Sequence, residues 1–372
     1  MMDPGKGVKS GCFNIIPEGV PNGGILFVNN EAAGRSGHGG NTITECKNGD
    51  ILCFYSNVSG EIFLGHGVAG WSEFRRSTDG GKTWSEPCIF DYSKKMWDGD
   101  ECYSALVVSA VTAPNGTLVA IVARFENEKW IKRFPPVYLL SYDNGYTWSE
   151  PREIDNSASV HDLSLTYDGS FVHDDTIYVV FIGGAGDMCP GPYSLYVSTD
   201  NGETFSKRSN LPFDHLYNYG TGTVLDDESI IVYAYPWDET ENTDEHNLPY
   251  VISKDGGYTW SEVKTAYFEK RLRNPQLSEE IGDYYFMHGR SGSMGDDPCH
   301  LVLYTAKDGI NWDNGIFLNR GGRDADSYSA NAVIGKHDES KPKKLLIQSS
   351  IAYDGRCKVN TCHWWIENIS NA

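Results

Sequence analysis

The sequence predicts an all-β fold, a six-bladed β-propeller forming a single domain over residues 1–372. Three observations predict it. One tight-turn pattern recurs five times along the 372-residue chain. Short runs with strand chemistry fill the intervals, four to a repeat. Helix signals are nearly absent, while aromatics make up 13% of the chain and glycines number 40, the composition of a turn-rich β protein.

The turn is clearest at Ser77-Thr78-Asp79-Gly80-Gly81-Lys82-Thr83-Trp84. Residues 141–148 and 253–260 repeat it, 198–205 end in Phe205 instead of Trp, and 305–312 are a worn copy. The aspartates fall at 79, 143, 200, 255 and 308, a period of 53 to 64 residues. Gly-Gly and Asn-Gly supply the positive φ angles of a tight hairpin. The Asp carboxylate accepts hydrogen bonds from the turn's own N–H groups, and Thr-Trp opens the return strand with a large aromatic to bury. These aspartates are read as structural, not catalytic.

The elements follow in order. An apolar run at 25–28 is expected to pair with the last blade and close the ring, which removes an open edge. The first repeat has strands at 42–46, 50–55, 70–77 and 84–90. The second has 104–112, 117–123 and 137–141, and the third 163–167, 177–181 and 194–198. The fourth has 221–225, 230–235 and 250–253, and the fifth 276–280, 284–288 and 301–305. A sixth, at 329–334, 344–349 and 358–366, lacks the Asp turn.

Composition excludes some partners. The net charge of −20 argues against nucleic acid, which needs a basic stripe. No 18-residue apolar run suggests a membrane span, and no apolar segment follows Met1–Lys6 as a secretory signal would, so a cytoplasmic location is expected. The nine cysteines are scattered and odd in number, and they read as buried free thiols. Cys357, Cys362 and His363 match no common zinc spacing. No metal or other cofactor is expected. The sequence does not specify an oligomeric state.

The layout also predicts a functional rim. The first strand of each repeat starts, and the second ends, on the rim opposite the Asp turns. The long loops 56–69, 125–136, 183–192, 236–248 and 289–298 lie there too, and long loops on a rigid ring are where binding sites collect. Strand starts contribute His38, Asn41, Glu101, Tyr103, His161, Asp162, Asn218, Tyr219, Arg273, Asn274, Asp326 and Tyr328. Strand ends and loops contribute Tyr55, Asn57, Glu61, Arg124, Trp237, Asp238, His288 and Arg290. The carboxylates suit general acid or base work, the arginines suit a bound carboxylate, and Trp237 suits stacking on a sugar face.

Repeated Ser-x-Asp-x-Gly-x-Thr-Trp turns resemble the Asp boxes of the sialidase (neuraminidase) superfamily, and the resemblance covers the chain from about residue 38 onward. It implies a six-bladed propeller with an axial pocket for a carbohydrate. It implies that Tyr328, in Asp326-Ser327-Tyr328-Ser329, is similar to the family's nucleophile, and that Glu61 stands nearest to its acid/base carboxyl. The pattern departs elsewhere. The Arg-Ile-Pro that opens the family's first blade is replaced by the stretch 36–43. Tyr219 stands where the family has the glutamate that partners the tyrosine, and Tyr235 where it has a second arginine.

The function expected from this resemblance is a sialidase-like exo-glycosidase acting on an anionic sugar. Its catalytic set is Tyr328, Glu61, Asp326 and Asp162. Its binding set is His38, Asn41, Tyr103, Arg124, His161, Tyr219, Trp237, Arg273 and Arg290, with the last, Arg124 and Arg273 able to form a different anion clamp. Two alternatives remain open: a propeller-type polysaccharide lyase using His38, His161 and Tyr219, and a non-catalytic sugar-binding propeller.

Overall fold

The computed structural model describes residues 8–10, 13–16, 24–59, 69–100, 103–125, 133–154, 163–164, 169–183, 193–213, 217–236, 245–292, 298–321, 326–354 and 358–367. The chain is all-β with a β-propeller arrangement. The fourth repeat is a plain antiparallel meander of Tyr217–Val224, Ile230–Pro236, Asn247–Ser253 and Lys264–Tyr267. The fifth has the same form, with Arg273–Leu277, Tyr285–Arg290, Leu301–Ala306 and Ile316–Asn319.

The innermost strands follow one another around an axis. Thr42–Glu45 packs beside Ser104–Thr112, which packs beside Ser170–His173. Tyr217–Val224, Arg273–Leu277 and Ser329–Ile334 continue the series, and the last of these packs against Thr42–Glu45. The apolar cores lie between neighbouring repeats. Leu52, Phe54, Val107 and Val122 share one cluster, and Val119, Ile121, Val179 and Tyr196 share the next.

Four points differ from the sequence reading. Four blades stand as separate sheets, not six. The strands of the first two repeats run together into one nine-stranded sheet, because Trp71 in Gly70–Ser77 pairs in parallel with Ala105 in Ser104–Thr112. Ser72 Oγ then accepts from the N–H of Val107 at 2.9 Å, and Ser104 Oγ from that of Gly70 at 3.2 Å. The run at 84–90 is strand only at Cys88–Ile89. A helix that the sequence reading did not foresee, Asp91–Asp98, follows it. Its Tyr92 and Met96, one turn apart, pack against the core, and its buried Ser93 accepts from Ser72 N–H and donates to the carbonyl of Ala105. In the third repeat the expected strand at 163–167 pairs only through Leu163–Ser164, with Ile182 and Gly183, while residues 176–179 pair with Ser170–His173.

Lys358–Glu367 pairs on one edge with Lys344–Asp354 and on the other with both Ile25–Val28 and Phe13–Ile16. Among the described residues, no helix is long and apolar enough to cross a membrane. The described cysteines, 46, 53, 88, 299 and 362, are free thiols.

Four of the five Asp turns are closed hydrogen-bond knots; in the worn copy Asp308 accepts from Asn311, and Thr305 bonds Asp313 instead. Asp255 Oδ1 accepts from Ser253 Oγ at 2.7 Å and Thr259 N–H at 2.9 Å, and its Oδ2 from Thr259 Oγ1 at 2.6 Å. Ser253 Oγ in turn accepts from Gly257 N–H at 2.8 Å. The same bonds recur at Asp79, Asp143 and Asp200. The turn glycine sits at positive φ and leans on the preceding repeat. A Cβ on Gly202 (φ 89°) would lie 2.4 Å from Val119, and one on Gly257 (φ 89°) 2.3 Å from Leu195.

Gly202→Ala should therefore lower stability by about 3 kcal/mol, from the left-handed penalty and the overpacking together, measured by denaturant unfolding. The hydrogen bonds also hold Asp79 and Asp255 at about 2, below the ordinary 3.8, with the threonine hydroxyl the largest cause. A depressed carboxylate stabilises fully above its unfolded pKa and loses that effect as pH falls through its folded one. Melting temperature should thus drop between pH 4 and 2, and Asp255→Asn should show a shallower drop across the same window.

Candidate functional site

Three inner strands begin with left-handed backbone at one end of the axis. Tyr219 (φ 55°) opens the fourth repeat, Asn274 (φ 52°) the fifth, and Ser327 (φ 68°) immediately precedes Tyr328 in the sixth. At the first two, the pairing register slips, between Asn218 and Gly220 and between Arg273 and Gln276. Such bulges re-aim side chains. Here they deliver Tyr219 and Asn274 to one cavity with Gln276, Tyr328, Ser329, His38, Gly39 and Asn41, which encloses about 40 Å³.

Tyr328 is the hub of this cluster. Arg290 Nη1 donates to its phenol oxygen at 3.0 Å, and the guanidinium carbon lies 4.6 Å from its ring centre. The edge of His38 meets the same ring, with centroids 5.2 Å apart. Arg290 is 1% exposed and also donates through Nη2 to Cys299 Sγ at 2.8 Å. Its position at the end of Tyr285–Arg290 is fixed by pairing with Leu301.

A second guanidinium stands nearby. Arg273 lies over the ring of Tyr235 at 5.4 Å, and Tyr219 lies 6.3 Å from that ring. Burial holds the Tyr235 phenol well above its usual range, and the charges of Arg273 and Arg290 oppose that rise. Among the described residues Arg273 makes no ion pair, and its Nε is buried without a hydrogen-bond partner.

Behind the cavity lies a buried polar layer that the sequence did not reveal. Asn331 Nδ2 lies 2.9 Å from His288 Nε2, and an amide nitrogen can only donate. His288 therefore carries its proton on Nδ1 and donates to Ser329 Oγ at 2.9 Å. Burial alone pushes this imidazole down to about 3, so it is neutral. On the other side Gln348 Nε2 donates to Asn41 Oδ1 at 3.0 Å and to the carbonyl of Phe54 at 2.7 Å. Its Oε1 accepts from His363 Nε2 at 3.0 Å. The ring of His363 stacks on Phe27, and burial likewise brings it to about 3.

The expected site residues separate into three groups. His38, Asn41, Tyr219 and Tyr328 line the cavity, and Arg290 and Arg273 stand beside it. Asp326 does not line it. It is 1% exposed, accepts from the backbone N–H of Ala352 and packs against Gly321, so it holds the turn before Tyr328. Arg124 donates twice to the carbonyl of Pro135, at 3.0 and 2.7 Å, and interacts with Tyr92; Tyr103 packs on Phe134. Neither lines the cavity. Glu61, His161, Asp162 and Trp237 lie outside the described residues. Asn274, Gln276 and Ser329 are cavity residues absent from the expected site; the rim reading had placed Asn274 at a strand start without assigning it a role.

The BNR/Asp-box repeat family model matches residues 75–86 and 196–207. A sialidase of Paraclostridium sordellii is 25% identical over 166 residues, covering 38% of this chain and 40% of that relative's length. Among solved structures, a Dyadobacter fermentans protein of unknown function superposes with a TM-score of 0.69 at 14% identity, over 94% of this chain and all of that one. The intramolecular trans-sialidase of Ruminococcus gnavus, solved with oseltamivir carboxylate, gives 0.67 at 12% identity, over 95% of this chain and 99% of that one. The chain thus carries BNR/Asp-box repeats and shares the fold of these solved structures.

The buried histidines yield a check on the site's architecture. Each has a folded pKa far below the ordinary 6.5, so its burial stabilises above that value and the effect is lost as pH falls toward 3. Imidazole NMR should find His288 and His363 neutral and untitrated down to about pH 4. A midpoint for His288 near 6 would show that the layer behind Ser329 is not built as described.

Proposed function

We propose that this protein is a sialidase-like glycosidase that binds an anionic sugar, of sialic or uronic type, with Tyr328 as its nucleophile. The observation that carries this reading is the bond from Arg290 to the Tyr328 phenol oxygen at the mouth of the central cavity. A guanidinium on that oxygen stabilises the negative charge needed for attack on an anomeric carbon. Attack forms an aryl glycoside and releases the leaving group, and water then hydrolyses the intermediate. Glu61 is the acid/base carboxyl in this scheme.

Arg290 and Arg273 form the anion clamp. Their geometry favours a carboxylate, which guanidinium groups bind through paired hydrogen bonds. The solved complex of the Ruminococcus gnavus trans-sialidase with a carboxylate ligand supports the same ligand class. We take the nine-stranded sheet as two blades sharing a single bridge, which makes six with the four separate sheets. The ring order of the inner strands supports that count. A cytoplasmic location remains part of the proposal.

A second reading is favoured by one observation: no Asp or Glu is among the residues lining the cavity described here. A lyase needs none at that place. Its base would be Tyr328 or His38, removing the proton beside a uronate carboxylate held by the arginines.

Turnover of 4-methylumbelliferyl sialoside and glucuronide, read beside the near-ultraviolet absorbance of uronate oligosaccharides, separates the two. Hydrolysis is expected, and Tyr328→Phe should cut kcat/KM by about 10³-fold or more while leaving the melting temperature unchanged. Absorbance without fluorescence would replace the hydrolase with the lyase. Undiminished hydrolysis by Tyr328→Phe would remove the tyrosine from the mechanism.

A further inference from the structure

Each Asp turn meets the repeat before it along a seam, and the seams are not closed alike. Two residues before its closing aromatic, the second turn carries Tyr146, the third Glu203 and the fourth Tyr258. An arginine of the preceding repeat meets each of them. Arg76 lies 3.9 Å from the Tyr146 ring centre, Arg152 Nη1 pairs with Glu203 at 2.7 Å, and Arg208 lies 4.7 Å from the Tyr258 ring centre. The worn fifth turn has Ile310 at that place, and Lys307 where the others have their aspartate. Ile310 offers neither a ring face nor a charge. Here a cleft of about 630 Å³ opens between the fourth and fifth repeats, on the rim away from Tyr328.

We propose that this open seam is a second ligand site, for a small organic anion that carries an apolar ring face. It is independent of the Tyr328 site. Size and lining are the first argument. The cleft has the volume of pockets that hold small organic ligands. Leu225, Ile252, Trp260 and Ile310 give it apolar walls, which a ring face covers.

Charge is the second argument. Lys254 of the fourth turn, Lys264 of its return strand and Lys307 of the fifth turn all line the cleft, and all are exposed. Among the described residues none of the three makes an ion pair. Three carboxylates line the cleft as well, but each is tied to other donors. Asp308 accepts from the N–H groups of Ile310 and Asn311, Asp227 from that of Ser229, and Asp226 from the Tyr285 phenol at 2.8 Å. The Ser229 hydroxyl is the largest cause that holds the Asp227 carboxyl below its ordinary 3.8, and the charge of Lys254 is a lesser one. The carboxylates are thus pinned, while the ammonium groups stay on flexible stems with three donors each. An anion entering the cleft gathers ammonium groups from both repeats and takes the place of the plug that the other seams build in.

The test uses the full chain and 8-anilinonaphthalene-1-sulfonate, an aromatic sulfonate read by its fluorescence. Its uncharged relative N-phenyl-1-naphthylamine is the control. The sulfonate should bind at a single class of site, and the neutral compound about tenfold or more weakly. Ile310→Tyr rebuilds the aromatic of the second and fourth turns and should weaken the sulfonate by about tenfold or more. The double variant Lys254→Glu with Lys264→Glu changes only exposed side chains. It should weaken the sulfonate as much with the melting temperature unchanged, so it decides the matter even if Ile310→Tyr folds poorly. Tyr328→Phe should bind as wild type does. No binding, equal binding of the neutral compound, undiminished binding by the lysine variant, or loss of binding in Tyr328→Phe would each overturn the site. Displacement by 3′-sialyllactose and not by adenosine 5′-monophosphate would identify a carboxylated sugar as the occupant, and the reverse a nucleotide. Displacement by both would support the wider class, and displacement by neither would overturn the seam as a site for such an anion.

Discussion

Everything in this molecule depends on how each Asp turn grips the repeat before it. The turn glycine presses on a side chain of the preceding repeat: Gly145 on Leu52, Gly202 on Val119, Gly257 on Leu195, Gly309 on Leu225. The turn aromatic does the same, with Trp148 against Phe54 and Phe90, Phe205 against Tyr138, and Trp312 against Tyr233 and Phe268. Charge adds to it where Arg76 lies 3.9 Å from the ring centre of Tyr146 and Arg208 lies 4.7 Å from that of Tyr258. The first turn reaches back to the last repeat, where Gly81 meets Trp365 and Trp84 meets His363. The hydrogen-bond knot inside four of these turns is therefore not decoration on a loop. It fixes the angle at which a large aromatic leaves the strand, and with it the packing of one repeat on the next.

That fastening lies at one end of the strands and the strained backbone at the other. Tyr219, Asn274 and Ser327 all adopt left-handed angles where inner strands begin. A non-glycine residue there costs of order 1–2 kcal/mol, and only a surrounding structure that over-determines the position sustains it. The buried layer provides that. His288 bonds Ser329 and Asn331, and Gln348 bonds His363, Asn41 and the backbone of Phe54, with His288, Gln348 and His363 almost fully buried. The site thus stands on a stiff floor, with Arg290 of the fifth repeat donating to Tyr328 of the sixth and Arg273 of the fifth lying over Tyr235 of the fourth.

The repeats were legible because the turn needs particular residues: Ser, Asp, Gly and Thr each make a named hydrogen bond or backbone angle. Tyr328, His38, Asn41 and Tyr219 were legible because a strand start on a known rim fixes a residue's neighbourhood. The place of Asn274 in the cavity was not, since it arises from a one-residue register slip that no local pattern announces. Nor was the burial of Asp326, whose carboxylate looks catalytic in sequence and caps the N–H of Ala352 in the fold. The helix Asp91–Asp98 was missed for a similar reason. Its stability comes from Ser93 bridging two strands that sequence spacing does not place side by side.

The same logic accounts for the most conspicuous departure from the resemblance. Tyr235 stands where an arginine would be expected, and taken alone that loss argues against an anion site. Yet Arg273, from the next inner strand, lays its guanidinium over the Tyr235 ring. An aromatic face can hold a guanidinium in place without neutralising it, as a carboxylate partner would. The buried, hydrogen-bond-free Nε of Arg273 fits a group held by its ring contact and not by an ion pair. Replacing arginine with tyrosine at 235 thus need not abolish positive charge at the mouth of the cavity; it can shift the source of that charge by one repeat. In a chain of net charge −20, Arg290 on Tyr328 and Arg273 over Tyr235 thus keep two guanidinium groups at this end of the propeller.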